Sequence, residues 1–239
     1  ALTASFYLPG GDAPFPTAVL FNGFNSQRHN ETNSALIPLL INDGIAVVVA
    51  DLSGHGESTG TIRTQNIVKA SEEIRDVVEF VQKDQRFGDV FLFGNSMSGA
   101  GAVLAAPHLN IRAFGLKAPA CNYENCFRSK ATDEQMQGWE QARYAEVRPG
   151  VVLDWSVIEA ASSVDVYATF EKIDVPVRVW QGTEDEQIPA EDWQRLESLC
   201  DGQQKRFVRF DGANHRIDGE FFDLFINDAR QYIRSQLKV

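Results

Sequence analysis

Apolar positions along the chain fall into two alternating rhythms. Short, nearly continuous apolar runs occur at Thr17–Phe21, Ile45–Ala50, Val90–Phe93, Ile111–Leu116, Val177–Trp180 and Phe207–Phe210. Runs of this length suit strands buried on both faces of a parallel sheet. Between them, Ile67, Ala70, Ile74, Val77, Val78 and Val81 recur at three- and four-residue spacing with charges interspersed, which predicts an amphipathic helix over 67–81. Met97–Ala106 predicts a second helix, and Ala35–Leu40 a short one capped by Asn33 or Ser34 and ended by Gly44. The stripe Phe221, Phe222, Phe225, Ile226, Ala229, Tyr232 and Ile233 predicts a closing helix. Strand and helix alternating in this way predict an α/β fold, a mostly parallel central sheet with helices on both faces. One stretch, about 121–163, breaks the rhythm. It is polar, and it holds Trp139 and Trp155, two of the four tryptophans. It reads as a short cap-like insertion over the sheet's edge, within a single domain covering 1–239.

Composition narrows the function classes. The chain has 239 residues, 44% hydrophobic and 23% charged, which is ordinary for a globular protein and excludes disorder as the main reading. The 22 basic and 33 acidic residues give a net charge of −11. A phosphate-backbone binder needs a basic footprint, so no nucleic acid partner is expected. Long-range repulsion disfavours anionic surfaces and anionic substrates as well. No apolar run approaches the ~20 residues needed to span a bilayer. Residues 1–11 lack the charged start and long apolar run of a secretory signal, so the expectation is a cytoplasmic protein. Three cysteines, Cys121, Cys126 and Cys200, are too few for a disulfide scaffold. With no histidine pair near them they do not read as a zinc site either, so no metal is expected.

Candidate chemistry begins at Val90-Phe-Leu-Phe-Gly-Asn-Ser-Met-Ser-Gly, which reads as strand, turn and helix with Ser96 at the turn. A serine on such a turn needs small residues two positions to either side, here Gly94 and Ser98. The turn exposes Oγ beside the free N–H groups of a helix N-terminus, where an oxyanion is stabilised. This is the content of the motif G-x-S-x-G, with Ser98 in place of the second glycine. The competing reading is a serine cap on an ordinary helix.

A serine hydroxyl needs a base to take its proton. Of the histidines His29, His55, His108 and His215, the last follows the strand 207–210 in a loop at a strand's carboxyl end, where open parallel sheets place their ligands. His29 sits in a polar loop that borders the same region. The base in turn needs an acceptor to fix its tautomer. The loop after Val177–Trp180 offers Asp185, with Glu184 and Glu186 as competitors.

The order serine, acid, histidine, each after its own strand, is that of the α/β-hydrolases, and the whole chain resembles them. Four segments carry the resemblance: Phe21-Asn-Gly-Phe-Asn-Ser, Asp51-Leu-Ser-Gly-His-Gly-Glu-Ser, Gly94-Asn-Ser-Met-Ser-Gly, and Gly182-Thr-Glu-Asp-Glu-Gln-Ile-Pro with Asn214-His215. They span residues 21 to 215 in order. The chain is most similar to serine-aminopeptidase-like hydrolases, monoacylglycerol lipases and cinnamoyl (feruloyl) esterases. The resemblance implies an α/β-hydrolase fold and a triad of Ser96, Asp185 and His215, with Asp185 three residues after the loop glycine. It also implies an oxyanion hole made by the backbone N–H groups of Phe24 and Met97. Asn22 stands where relatives carry a histidine before the glycine. Because the donor is a main-chain group, the hole is expected to survive the change.

These readings predict a serine hydrolase, a carboxylesterase acting on a small-molecule ester through an acyl-enzyme, with no cofactor. The alternatives are an aminopeptidase or amidase, with Glu140 or Glu146 holding a substrate amine, and a lyase or binding protein on the same fold. Tyr123, Phe127, Trp139, Tyr144 and Trp155 are candidates to line an acyl or aromatic pocket. The sequence leaves the acyl and alcohol preference and the oligomeric state open.

Overall fold

The computed structural model describes residues 1–239. In chain order the elements are β1 (Thr3–Tyr7), β2 (Phe15–Phe21), α1 (Glu31–Asn42), β3 (Ala46–Asp51), α2 (Ile67–Lys83), β4 (Phe87–Asn95), α3 (Met97–Ala105) and β5 (Ala113–Lys117). There follow α4 (Asn125–Arg128), α5 (Asp133–Ala142), β6 (Tyr144–Arg148), β7 (Val151–Asp154), α6 (Ser156–Ser162) and α7 (Val166–Glu171). The chain closes with β8 (Val177–Gly182), α8 (Ala190–Ser198), β9 (Lys205–Phe210) and α9 (Phe222–Leu237).

Seven strands form one sheet in the order β1-β3-β2-β4-β5-β8-β9. All neighbours are parallel except β1, which pairs antiparallel with β3. The apolar runs of the interior strands are continuous because those strands are covered on both faces, whereas β9, at the sheet's edge, is only partly buried. Ala46, Val48 and Ala50 of β3 face the core layer that includes α2 and α3, while Val47 and Val49 face the layer with α1 and α9. In α2 the predicted stripe is buried, and Asn66 caps it by accepting the N–H groups of Val68 and Lys69, each at 3.0 Å.

Several expectations need correction. Helix α1 starts at Glu31, capped by Asn30 through the N–H of Asn33 at 3.0 Å, not by Asn33 or Ser34. Its first turn was hidden because it is polar yet buried. Lys117 Nζ donates to Thr32 Oγ1 at 2.9 Å, a contact between residues 85 apart. Strand β1 carried no continuous apolar run because it is an edge strand, covered less fully than the central ones. Helix α8 was also missed. The stretch 121–163, expected as an insertion at the sheet's edge, connects two interior strands, β5 and β8. It contains α4, α5, the β6–β7 hairpin and α6, and it leaves the sheet from β5, an interior strand. A capping box of Thr132 and Gln135 starts α5, and Trp139 Nε1 donates to the Leu153 carbonyl at 3.1 Å, tying the helix to the hairpin.

No helix is long and apolar enough to cross a membrane.

Candidate active site

Strand β4 ends in the sharp turn expected of it. Ser96 has φ 54° and ψ −116°, a conformation that favours glycine, and its side chain makes no cap hydrogen bond to α3. The ordinary-cap reading therefore fails. Gly94 is obligatory, since a Cβ there would lie 2.6 Å from the Ser98 carbonyl oxygen. Ser98 is accommodated because its hydroxyl bonds the turn itself: Oγ accepts the Asn95 N–H at 2.9 Å and donates to the Asn95 carbonyl at 3.0 Å. The Ser96 N–H donates to the Lys117 carbonyl at 2.9 Å, which fastens the turn to β5.

Two loops at the carboxyl ends of β8 and β9 meet beside it. A Cβ on Gly182 would fall 2.3 Å from the Ala213 carbonyl oxygen, so only glycine permits this approach. Glu184 N–H donates to Ala213 O at 2.9 Å and His215 N–H to Glu186 Oε2 at 3.2 Å. Within this clasp His215 Nδ1 lies 2.8 Å from Asp185 Oδ2 and 3.0 Å from Oδ1. The other hydrogen bonds to Asp185 come from the N–H groups of Gln187 (2.7 Å) and Ile188 (2.9 Å) and from Gln181 Nε2 (2.7 Å). Burial alone would raise the pKa of this carboxyl, but the His215 contact and the two backbone donors outweigh it and hold the pKa below the ordinary value. Of the three acids in the loop, Asp185 is the one on the histidine. Glu186 braces the loop, and Glu184 contributes its backbone.

The loop after β2 closes the third side. A Cβ on Gly23 would lie 3.2 Å from Ser96 Cβ, so this loop runs against the serine. Phe24 N–H donates to no acceptor in the protein, and neither does the N–H of Met97, the first residue of α3. The loop is held from behind by the 51–58 segment. His55 Nε2 accepts the N–H of Asn25 at 3.0 Å, and buried Asp51 accepts the N–H of Arg28 at 2.5 Å and pairs with its guanidinium. His55 and Asp51 thus brace this loop from the 51–58 segment. Asn22 bonds only the carbonyl next to it, Gly23 O, at 3.0 Å.

Ser96, His215 and Phe24 line one cavity of about 1210 Å³. Its other walls come from the 121–163 stretch, including Tyr123, Phe127, Lys130, Trp139, Tyr144 and Arg148, and from Gln187. Tyr123, Phe127 and Trp139 pack edge to face in series, with centroids 5.2 and 5.5 Å apart. The hydrogen bonds of His215 go to Asp185 and Glu186, and none reaches Ser96 Oγ. His29 lies outside the cavity, bonded to Tyr7 Oη at 2.8 Å, and His108 is exposed beyond α3. Glu140 and Trp155 do not line the cavity; Trp155 packs behind Trp139. Cys121 and Cys126 are free thiols whose burial pushes their pKa values up, that of Cys126 to about 12. Lys130 and Arg148 were not foreseen, because nothing local marks an isolated cation in a polar stretch as facing a pocket.

Comparison with known proteins agrees with this architecture. No curated protein matches the chain by sequence. Est1E from Butyrivibrio proteoclasticus, solved with ferulic acid bound, superposes with a TM-score of 0.86 at 21% identity, covering 100% of this chain and 96% of that one. Alpha/beta hydrolase domain-containing protein 10 from mouse gives 0.80 at 18% identity, over 98% and 94% of the two chains. A monoacylglycerol lipase from Paleococcus ferrophilus gives 0.74 at 20%, over 99% of each. At these identities the likeness establishes the α/β-hydrolase fold. The family described as serine aminopeptidase, S33, matches residues 12–157, well over half of the chain. The chain is therefore a hydrolase of the α/β-hydrolase superfamily and belongs to the serine aminopeptidase S33 family.

Proposed function

We propose that the protein is a serine hydrolase that cleaves carboxylic esters through an acyl-enzyme. The observation that carries the reading is convergence. A strained serine, a histidine bound from behind by a buried carboxylate, and the Phe24 loop come from separate segments to line one cavity, and the N–H groups of Phe24 and of Met97, next to the serine, have no acceptor. In this mechanism Ser96 Oγ attacks the ester carbonyl while His215 Nε2 takes its proton. Asp185 accepts the Nδ1–H, fixes the tautomer and stabilises the imidazolium. The Phe24 and Met97 N–H groups hold the oxyanion. His215 then returns the proton to the leaving alcohol, and water repeats the sequence on the acyl-enzyme. The Oγ–Nε2 hydrogen bond forms as substrate fills the cavity, a tightening common among catalytic groups.

The 121–163 stretch acts as the cap that shapes the substrate site. Its aromatic wall suits medium acyl chains or an aromatic acid such as the ferulate bound by Est1E. Esters are favoured over peptides because Glu140, one of the two carboxylates expected to hold a substrate amine, lies outside the wall, and the other, Glu146, is tied through Oε1 to the Gly150 N–H of its own hairpin at 2.7 Å. Labelling with a fluorophosphonate tests the assignment. The adduct is expected on Ser96, and S96A is expected to lose label and about 10⁴-fold in turnover of a nitrophenyl ester. An unlabelled wild-type protein would leave only a binding or lyase role.

A further inference from the structure

The cavity beside Ser96 holds a charge pair that the ester chemistry does not use. Lys130, between α4 and α5, and Arg148, at the end of β6, both line it. Neither forms an ion pair with a carboxylate of the protein. Both donate to the neutral Gln187 side-chain oxygen, Lys130 Nζ at 3.0 Å and Arg148 Nη2 at 2.6 Å, and Lys130 Nζ also donates to the Gln187 main-chain carbonyl at 3.3 Å. Partial burial lowers the pKa of Lys130 and the nearby Arg148 charge acts in the same direction, against the opposing influence of Cys126, Asp185 and Glu186. Two full cations thus repel each other around an acceptor that carries only a partial charge, in a chain of net charge −11.

The carboxylates lining the cavity, Glu146 and Glu186, form no ion pair with either cation; their hydrogen bonds come from the Gly150 N–H and from the His215 N–H and Gln187 Nε2. The remaining cation on the rim, Arg216, is paired with Asp218 at 2.9 Å. Lys130 and Arg148 are therefore the two cavity cations left for an incoming anion. Gln187 can release them without disturbing Asp185, because it holds Asp185 through its main-chain N–H and not through its side chain. The guanidinium of Arg148 stands 5.9 Å from the ring of Phe24, so the pair borders the proposed oxyanion loop.

We propose that Lys130 and Arg148 bind an ionised carboxylate of the substrate, so that the preferred esters carry a second acidic group. The proposal rests on the esterase reading above and names its substrate class. A carboxylate has two oxygens, and so accepts from both cations where the Gln187 amide offers one atom. Its hydrocarbon lies along Tyr123, Phe127 and Trp139 while the ester carbonyl sits at Ser96. Contact pairing outweighs the net negative field of the chain, because that field is screened within about 8–10 Å at ordinary ionic strength and the pair acts at hydrogen-bond distance.

Four esters test this: methyl hexanoate against monomethyl adipate for an acid on the acyl side, and phenyl hexanoate against 4-(hexanoyloxy)benzoate for one on the alcohol side. The wild-type protein is expected to turn over one anionic ester with about 10-fold or greater advantage in kcat/KM over its neutral partner, expressed in KM. The double variant K130Q/R148Q is expected to abolish that ratio. K172Q/R206Q removes the same charge far from the cavity and is expected to leave the ratio intact. Raised salt should erode the advantage. Turnover of the neutral esters with no anionic advantage on either side, or an advantage that survives in K130Q/R148Q, overturns the carboxylate site and leaves the esterase reading standing. Loss of turnover on all four esters overturns the esterase reading and the site with it.

Discussion

His55 Nε2 accepts the backbone N–H of Asn25 at 3.0 Å, across 30 residues of chain. Its other nitrogen faces the Ser53 carbonyl at 3.1 Å, so the ring is held at both ends. Burial lowers the His55 pKa, which keeps the imidazole neutral and Nε2 free to accept. The consequence is a fixed loop behind Phe24. His55→Ala is expected to cut kcat by roughly 10- to 100-fold, with KM less affected, because loosening the loop misplaces the Phe24 N–H proposed to hold the oxyanion. Steady-state kinetics on a neutral ester check this, and an unchanged kcat would mean that the loop holds itself.

The contact of Gly182 with the 213–214 turn sets the distance between Asp185 and His215. Gly182→Ala puts a methyl 2.3 Å from Ala213 O and 2.4 Å from Asn214 O, both backbone atoms that cannot swing aside. Overpacking of this kind costs about 1–3 kcal/mol. Urea denaturation should show that loss, and turnover should fall with it because the two loops part. Wild-type stability in the variant would mean that the loops do not meet as closely as described.

Ser96 holds a strained backbone. Serine at φ 54°, ψ −116° costs of order 1–3 kcal/mol that glycine does not incur. Ser96→Gly is therefore expected to raise the melting temperature by several degrees while eliminating turnover, whereas Ser96→Ala keeps the strain and leaves stability near wild type. Calorimetry of the three proteins distinguishes them; equal melting points would contradict the strain.

Lys117 is buried and has Thr32 Oγ1 as its one side-chain hydrogen-bond partner, with its ammonium 5.0 Å from the Phe225 ring. Burial pushes its pKa down to about 8, against attraction from Glu31, Asp218 and Asp185 and with added repulsion from Arg216. At pH 7 the group is charged in both folded and unfolded chains, so the whole desolvation cost weighs on the fold. As pH rises through 8 the folded form sheds its proton before the unfolded form does, and stability attributable to this group increases until about pH 10.4. Lys117→Met is accordingly expected to stabilise the protein at pH 7 by about 1–3 kcal/mol, with a gain that shrinks toward pH 10. A gain independent of pH would locate the effect in packing and not in charge.

The central strands and the long helices were legible because their signals are local. A strand covered on both faces must be apolar throughout, as Val47, Val48 and Val49 are, and a helix with one buried face must repeat every three to four residues, as Ile67 to Val81 does. The serine turn was legible for the same reason, since Gly94 and Ser98 answer constraints within the turn itself. Strand β1 and the start of α1 were not, because an edge strand is covered less fully and the first turn of α1 buries polar groups on Lys117.

The sequence by itself determined the α/β alternation, the strained serine turn, and the placement of Asp185 and His215 in separate loops after separate strands. Only the tertiary structure decided that Asp185 and not Glu186 meets the His215 ring, that His55 braces the Phe24 loop, and that Lys130 and Arg148 line the cavity beside Ser96. The physical reason is range. Periodicity and turn chemistry act over a few residues and are written in neighbouring side chains, whereas these contacts join residues tens of positions apart, and their geometry exists only once the sheet has brought its strand ends together.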